Sequence, residues 1–206
     1  MARRRLPAQD LALVAVFAAF IAALGAVPGI TVAGSSVPVT AQTLGVMLAG
    51  AVLGARRGGL AVLTFLGLVA LGLPVLSGGR GGLDYLLSRP STGFLWGWVA
   101  GAVVIGAMVE RRPRRWRDGW IAVSCLVGGL GVVYVFGVVG MAWVQGITLA
   151  KAWTICLVFV PGDLMKAALT TVLAGALLRG YPPLMERTER RDGEDELTAA
   201  PADAVR

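Results

Sequence analysis

The chain has 206 residues, a mean hydropathy of +0.74 and 56% hydrophobic residues, whereas only 15% of its residues are charged. This composition is typical of a polytopic membrane protein and excludes an ordinary water-soluble domain. The net charge of +7 does not indicate nucleic-acid binding, because the arginines are divided among short segments between apolar runs. There is no histidine, and Cys125 and Cys156 are far apart. We therefore expect no metal or haem site, no other cofactor and no His-based catalysis.

The apolar runs leave room for about six membrane-spanning helices, since a span needs about 20 mostly apolar residues. The predicted spans are residues 11–27, 41–54, 59–73, 93–109, 119–143 and 161–178. They form one membrane domain over residues 1–182, and residues 183–206 are predicted to be a polar, disordered cytoplasmic tail. The predicted fold class is an all-α integral membrane protein with six transmembrane helices.

The first span follows three arginines and therefore resembles a signal peptide. Its apolar run is long for such a peptide and further spans follow, so we expect this helix to be retained. Small residues recur four positions apart along it, among them Ala15 and Ala19. This spacing lets another helix approach closely. From the spacing alone, packing inside the bundle is favoured over a docking face.

The second span is short, which favours a start at a cavity or a broken helix. Gln42 lies at this start, beside Thr40 and Thr43. Two interpretations stay open on local grounds: Thr40 caps the helix, or Gln42 reaches into a binding cavity. The basic pair at residues 56–57 predicts a tight turn into the third span.

The most irregular region, residues 75–92, separates the third and fourth spans. Its Gly-Gly-Arg-Gly-Gly run lacks the Lys-Ser/Thr of a phosphate-binding loop and the GxGxxG spacing, so a nucleotide site is not indicated. A lid over a small ligand fits these glycines better, with Arg80 or Arg89 available for a carboxylate. The alternative is a solvated loop whose arginines contact lipid headgroups.

Basic residues are concentrated on one side of the predicted bundle. The N-terminus, residues 55–58, residues 110–118 and residues 179–206 hold 15 of the 19 lysines and arginines. The positive-inside rule therefore predicts a multi-pass protein of the cytoplasmic membrane with both termini inside. The Gly-rich region and the starts of spans two and six then face outward around a ligand cavity. The half-apolar segment 144–160 is expected to lie partly in the membrane interface.

Asp163 and Lys166 are ionisable residues that enter a long apolar run. They follow Pro161, which suits the first turn of a helix, and their spacing of three puts both on one helix face. At membrane depth a charge is costly unless it is paired or wetted, so both are candidate ligand-binding residues. The alternative is a pair that satisfies itself and only locks helix packing.

Five motifs occur in the order in which they are found in a known family. They are Val37-Pro38-Val39-Thr40-Ala41-Gln42-Thr43, Leu73-Pro74-Val75, Gly78-Gly79-Arg80-Gly81-Gly82, Arg89-Pro90-Ser91-Thr92-Gly93-Phe94 and Pro161-Gly162-Asp163-Leu164-Met165-Lys166. In this set, over roughly residues 11–178, the chain resembles the BioY family, the biotin-specific S components of energy-coupling factor (ECF) transporters. It departs from the family at residues 89–94, where the family usually reads Gly-Pro-Thr-Gly-Gly-Tyr.

The resemblance implies a six-helix membrane protein that is not an enzyme and that captures biotin from outside the cell. It also implies association with a transmembrane T component and two cytoplasmic ABC ATPases. First-helix alanines, here Ala15 and Ala19, would dock against the T component.

The resemblance further implies a set of ligand contacts. Asp163 would accept hydrogen bonds from the ureido ring of biotin, and Lys166 would donate one to its carbonyl. The valerate would meet Arg80, Tyr85 or Arg89. Gln42 completes this candidate ligand-binding set.

Three other functions stay open at this stage. The chain could be an S component for another vitamin, an intramembrane enzyme that uses Asp163, or an assembly subunit without a ligand. The enzyme is disfavoured because no second carboxylate or histidine lies within the spans to act as an acid–base partner.

Overall fold

The computed structural model describes residues 8–31, 37–111 and 117–180. This part of the chain is helical and holds no strand beyond two isolated β-bridges, Ile30 to Val39 and Leu76 to Arg80. Helices suit these apolar sequences because each helix bonds its own backbone groups, as a lipid environment requires. The predicted all-α class is confirmed. The predicted tail lies outside the described residues.

The helices of the described residues are numbered in chain order. They are α1 (Ala8–Leu24), α2 (Gln42–Ala70), α3 (Leu83–Leu87), α4 (Thr92–Glu110), α5 (Arg117–Ser124), α6 (Val133–Gln145), α7 (Leu149–Cys156) and α8 (Val160–Gly180). A π-helical segment, Cys125–Val132, joins α5 to α6, and a 3-10 segment, Leu157–Phe159, joins α7 to α8. Four stretches of the described chain are long and apolar enough to cross a membrane: Gln42–Ala70, Thr92–Glu110, Asp118–Gln145 and Leu149–Gly180. The apolar helix α1 is shorter.

Helix α2 reverses direction at Gly54. Its φ of 82° lies in the left-handed region, which glycine adopts without strain. A Cβ on Gly58 would lie 2.8 Å from the carbonyl oxygen of Ala49, although nine residues of straight helix span about 13 Å. Helix α2 is therefore a hairpin of two packed arms, residues 42–53 and 55–70. The structure places this reversal at Gly54 rather than at residues 56–57, which are helical.

The hairpin turn is anchored by charged side chains of neighbouring helices. Arg57 is buried against α1, with its Nε 3.4 Å from Oδ1 of Asp10. The Glu110 carboxylate at the end of α4 accepts a hydrogen bond from the backbone N–H of Ala55 at 2.8 Å. These contacts hold α1, α2 and α4 together at the Gly54 end of the bundle.

Helix α4 packs closely against α6 where two glycines face each other. A Cβ on Gly93 would lie 2.9 Å from Cα of Gly140 and would overlap the backbone oxygen of Phe136. The absence of both side chains lets the two backbones touch, as small residues do between membrane helices. This contact brings Phe94 of α4 to Tyr134 of α6, with ring centroids 6.3 Å apart.

The hydropathy pattern predicted one regular helix over residues 119–143, but its centre is π-helical. A π-helical turn holds more residues than an α-helical turn, so it changes which residues of the following helix face the bundle. The first residues of α6, Val133 and Tyr134, directly follow this segment and are buried. An apolar run gives no sign of this change because hydropathy does not report the hydrogen-bond register.

The segment predicted to lie partly in the membrane interface folds as helix α7 and the 3-10 segment. Thr148 caps α7, with its side-chain oxygen accepting the backbone N–H of Lys151 at 3.3 Å. Pro161 lies in the first turn of α8, as its missing N–H favours.

Candidate ligand-binding site

A cavity lies at the end of the bundle opposite Gly54. Its empty volume, including the solvent-filled open mouth, is about 670 Å³. Its walls come from residues 37–43, from the loop and short helix over residues 76–91, and from the adjoining ends of α4, α6 and α8. Sequence analysis had placed three of these segments around one cavity.

Asp163 is a polar residue of the cavity wall. It is buried, and its Oδ2 accepts a hydrogen bond from the Tyr134 hydroxyl at 2.8 Å. Its Oδ1 accepts from Nζ of Lys166 at 2.7 Å and from the Thr43 hydroxyl at 3.3 Å. The carboxylate is therefore fixed in orientation by three donors from α2, α6 and α8. Since two carboxylate oxygens offer about four lone-pair sites, one site is left for a ligand N–H.

Lys166 remains available to a ligand although it pairs with Asp163. Its ammonium carries three donor protons, and Asp163 is its only partner among the residues that the structure describes. The side chain is 15% exposed and lines the cavity. The two residues lie on one helix face, as their spacing predicts, and they pair with each other; the remaining donor protons of Lys166 are available at the cavity.

Gln42 lines the cavity, but its amide is engaged by the protein itself. Its Nε2 donates to the carbonyl oxygens of Ile21 at 3.2 Å and Val75 at 3.1 Å. Its Oε1 accepts the backbone N–H of Ser77 at 3.0 Å. Thr40 does not cap α2, because Ala41 occupies the cap position before Gln42 and no side chain caps the helix. Of the two interpretations from the sequence, capping by Thr40 is wrong. Gln42 does reach the cavity wall, and its amide in addition joins α1, α2 and the following loop.

The two arginines of the loop differ in position. Arg80 lines the cavity, as does Tyr85. Arg89 lies outside the cavity walls and is exposed, with its Nη2 2.8 Å from Oδ2 of Asp84. Its guanidinium also lies 5.1 Å from the centroid of the Tyr85 ring. The hydrogen bond and charge of Asp84 raise the pKa of Arg89. The structure thus brings Arg80 and Tyr85 into the site and leaves Arg89 outside it.

Aromatic side chains that sequence analysis did not assign to the site supply its apolar walls. Phe94 lies between Tyr134 and Phe159, with ring centroids 6.3 and 5.9 Å away. Trp98 is buried and lines the cavity, whereas Trp96 is exposed. Tyr134 could have been predicted from the sequence as a site residue, because a phenol within a long apolar run needs a hydrogen-bond partner.

Ala15 and Ala19 are both exposed in the structure. They lie on a face of α1 that points away from its buried residues, which include Val14 and Ala18. The packing interpretation drawn from the spacing is therefore wrong for these two alanines, although Ala18 of the same helix is buried. The described bundle leaves this small-residue face uncovered.

Fold and site together define a class of protein: a helical membrane protein with a mainly apolar cavity that carries a few fixed polar groups, as small-molecule sites do. Comparison with known proteins makes this specific. The BioY family model matches residues 1–183. The chain belongs to the BioY family, which confirms the resemblance found in its motifs.

The relatives include two proteins named as the biotin transporter BioY. That of Rhizobium etli is 47% identical over 184 residues, which are 87% of this chain and 98% of the relative. That of Rhodobacter capsulatus is 43% identical, over 84% of this chain and 95% of the relative. The chain is also similar to a crystal structure of the S-component for biotin from an ECF-type ABC transporter. The TM-score is 0.78 at 34% identity, covering 83% of this chain and 91% of the other.

Proposed function

We propose that this protein captures biotin at the cytoplasmic membrane as the S component of an ECF-type transporter. The observation that carries the proposal is the ordered Asp163–Lys166 pair in the wall of a mainly apolar cavity. A family whose relatives are named for biotin transport supports the choice of ligand. The function is transport, so no reacting group is required of the site.

The chemistry of biotin matches the groups in the cavity. A ureido ring offers N–H donors, which the remaining lone-pair site of Asp163 can accept, and a carbonyl oxygen, to which Lys166 can donate. Charge-assisted bonds of this kind are stronger than neutral ones. The aromatic walls, Phe94, Tyr134 and Phe159, can cover the apolar bicyclic part of the ligand. The valerate carboxylate of biotin would then contact the loop that carries Arg80.

Transport driven by ATP needs partners, because the sequence has no nucleotide-binding motif of its own. A T component and two ABC ATPases are the partners that we propose. The uncovered face of α1 with Ala15 and Ala19 supports docking to a membrane helix, since small residues allow close approach. We further propose that both termini are cytoplasmic and that the cavity faces outward, as the distribution of arginines favours.

The test is the thermal midpoint of the detergent-purified full chain with and without micromolar biotin. Because a ligand that binds only the folded state stabilises it by mass action, the midpoint should rise. Asp163→Asn should remove the shift, and its matched control, Asp118→Asn at an exposed carboxylate, should keep it. Thiamine and riboflavin should give no shift. A folded protein that responds to another vitamin and not to biotin would refute the proposed ligand.

A further inference from the structure

Two cations among the described residues line the cavity, and they are held differently. Lys166 is paired with the Asp163 carboxylate. Arg80 has no carboxylate partner in the described chain; its Nε donates to the backbone oxygen of Ser77 at 2.7 Å. This bond leaves the four N–H groups of Nη1 and Nη2, which have no partner among the described residues. These groups form the planar fork that receives a carboxylate.

The backbone of Arg80 is also fixed. Its N–H donates to the oxygen of Leu76 at 3.2 Å, and its carbonyl accepts the N–H of Leu76 at 2.9 Å. Gly78 and Gly79 turn the chain between these residues, with φ values of 82° and 69°. Three bonds therefore tie one arginine to residues 76–77, and a guanidinium held in this way loses little rotamer entropy when it binds.

Residues 76–77 are anchored in turn by Gln42. The Gln42 Oε1 accepts the N–H of Ser77, while its Nε2 donates to Val75 and to Ile21 of α1. The Ser77 hydroxyl adds a bond to the carbonyl oxygen of Val27 at 3.1 Å. Gln42 and Ser77 are each 1% exposed. Buried bonds of this kind are costly to break, so the loop has a fixed position relative to α1 and α2.

We propose that Arg80 is the residue that recognises the carboxylate of the ligand, and that Gln42 positions Arg80 through Ser77. This inference rests on the proposed function and deepens it, since it states which group makes the site select an acid. Three of the four hydrogen-bonding positions of the Gln42 amide are used by the protein, two of them toward residues 75 and 77, so its proposed role is to position the loop. Arg89, paired with Asp84 outside the cavity, takes no part.

The experiment compares the Kd of biotin with that of biotinamide, in which a neutral amide replaces the carboxylate, on the purified full chain. The wild type should bind the amide roughly 10- to 100-fold more weakly, as expected for loss of a charge-assisted hydrogen bond. Arg80→Gln should weaken biotin binding by that factor and leave the amide unchanged, so that the ratio of the two Kd values approaches one. The matched control, Arg89→Gln, should keep the wild-type ratio.

Gln42→Ala separates positioning from general stability. A purely structural defect weakens the binding of both ligands equally and leaves the ratio of the biotinamide Kd to the biotin Kd unchanged. Misplacement of Arg80 lowers this ratio. In the Arg80→Gln background, Gln42→Ala should not change the ratio further. Ser77→Ala, which removes the bond to Val27, provides a milder variant if Gln42→Ala does not fold, and it should also lower the ratio.

Different failures of this experiment have different meanings. A wild-type protein that is folded and binds neither compound would refute the proposed function. A wild-type protein that binds biotin and biotinamide equally, or an Arg80→Gln variant with the wild-type ratio, would refute the role of Arg80 alone. Unchanged ratios in the folded Gln42 or Ser77 variants would refute the positioning role.

Discussion

The carboxylate of Asp163 illustrates how a charge is kept within an apolar bundle. Its three donors come from residues 43, 134 and 166, and two of these, the Thr43 and Tyr134 hydroxyls, are neutral. Removal of the cationic donor would leave a buried negative charge with only neutral hydrogen bonds. Removal of the carboxylate would leave an ammonium that is 15% exposed and closer to water. The two halves of the pair are therefore not equivalent for stability.

Lys166→Met should lower the free energy of unfolding of the unliganded protein by about 3 kcal/mol relative to the wild type, because it leaves a buried carboxylate without its cation. Asp163→Asn should lower it by less. The double variant Asp163→Asn/Lys166→Met should recover most of that loss, since the introduced asparagine carries no charge while its amide oxygen still accepts the Tyr134 hydroxyl. Thermal midpoints of the purified variants in detergent measure this order of stability. Equal midpoints for Lys166→Met and the double variant would contradict it.

At the scale of elements, the cavity depends on the distance between helices rather than on any one side chain. The contact of Gly93 with Gly140 sets the separation of α4 and α6 at the cavity end. Phe94 and Tyr134, which contact each other in the apolar wall, are carried by these two helices. A side chain inserted between the backbones would move both walls.

Gly93→Ala should lower the thermal midpoint and weaken biotin binding. Its new Cβ would meet backbone atoms of Phe136 and Gly140, which cannot rotate away, and overpacking of this kind costs about 1–3 kcal/mol. The matched control is Gly67→Ala in the second arm of α2, where a Cβ would have no neighbour within 4 Å. That change should be neutral or stabilise the helix by up to about 1 kcal/mol. Equal behaviour of the two variants would contradict the role assigned to the contact.

At the scale of the whole molecule, the two ends of the bundle differ in structure. The Gly54 end is closed by the buried pair of Arg57 and Asp10 and by the bond from Ala55 to Glu110. The other end contains the cavity and the loop with Arg80. The exposed face of α1 runs alongside both ends, so a partner can dock there without entering the cavity.

Ala15→Trp or Ala19→Trp should prevent co-purification with the T component and abolish uptake by cells, because a bulky side chain blocks close helix approach. Biotin affinity of the isolated protein should stay within about twofold, since exposed substitutions change stability little. Val135→Trp, at an exposed site on α6, is the matched control and should retain the complex. Retention of the complex by both alanine variants would exclude this docking face.

Much of the architecture could be predicted from the sequence because hydropathy and motif order are local properties of the chain. The membrane class, the helical fold and the family followed from apolar runs and five short motifs. The Asp163–Lys166 contact was also accessible, since a spacing of three within one helix fixes which side chains meet. The count of six spans and the orientation remain predictions.

The sequence by itself thus determined the class of protein, its family and the charged pair within the bundle. Only the tertiary structure decided which arginine faces the cavity, what the amide of Gln42 bonds to, where α2 reverses and which face of α1 is uncovered. The physical reason is that each of these depends on contacts between distant residues. Gln42 meets Ser77 across 35 positions and Tyr134 meets Asp163 across 29. Hydropathy assigns residues to helices, but packing between helices determines their neighbours.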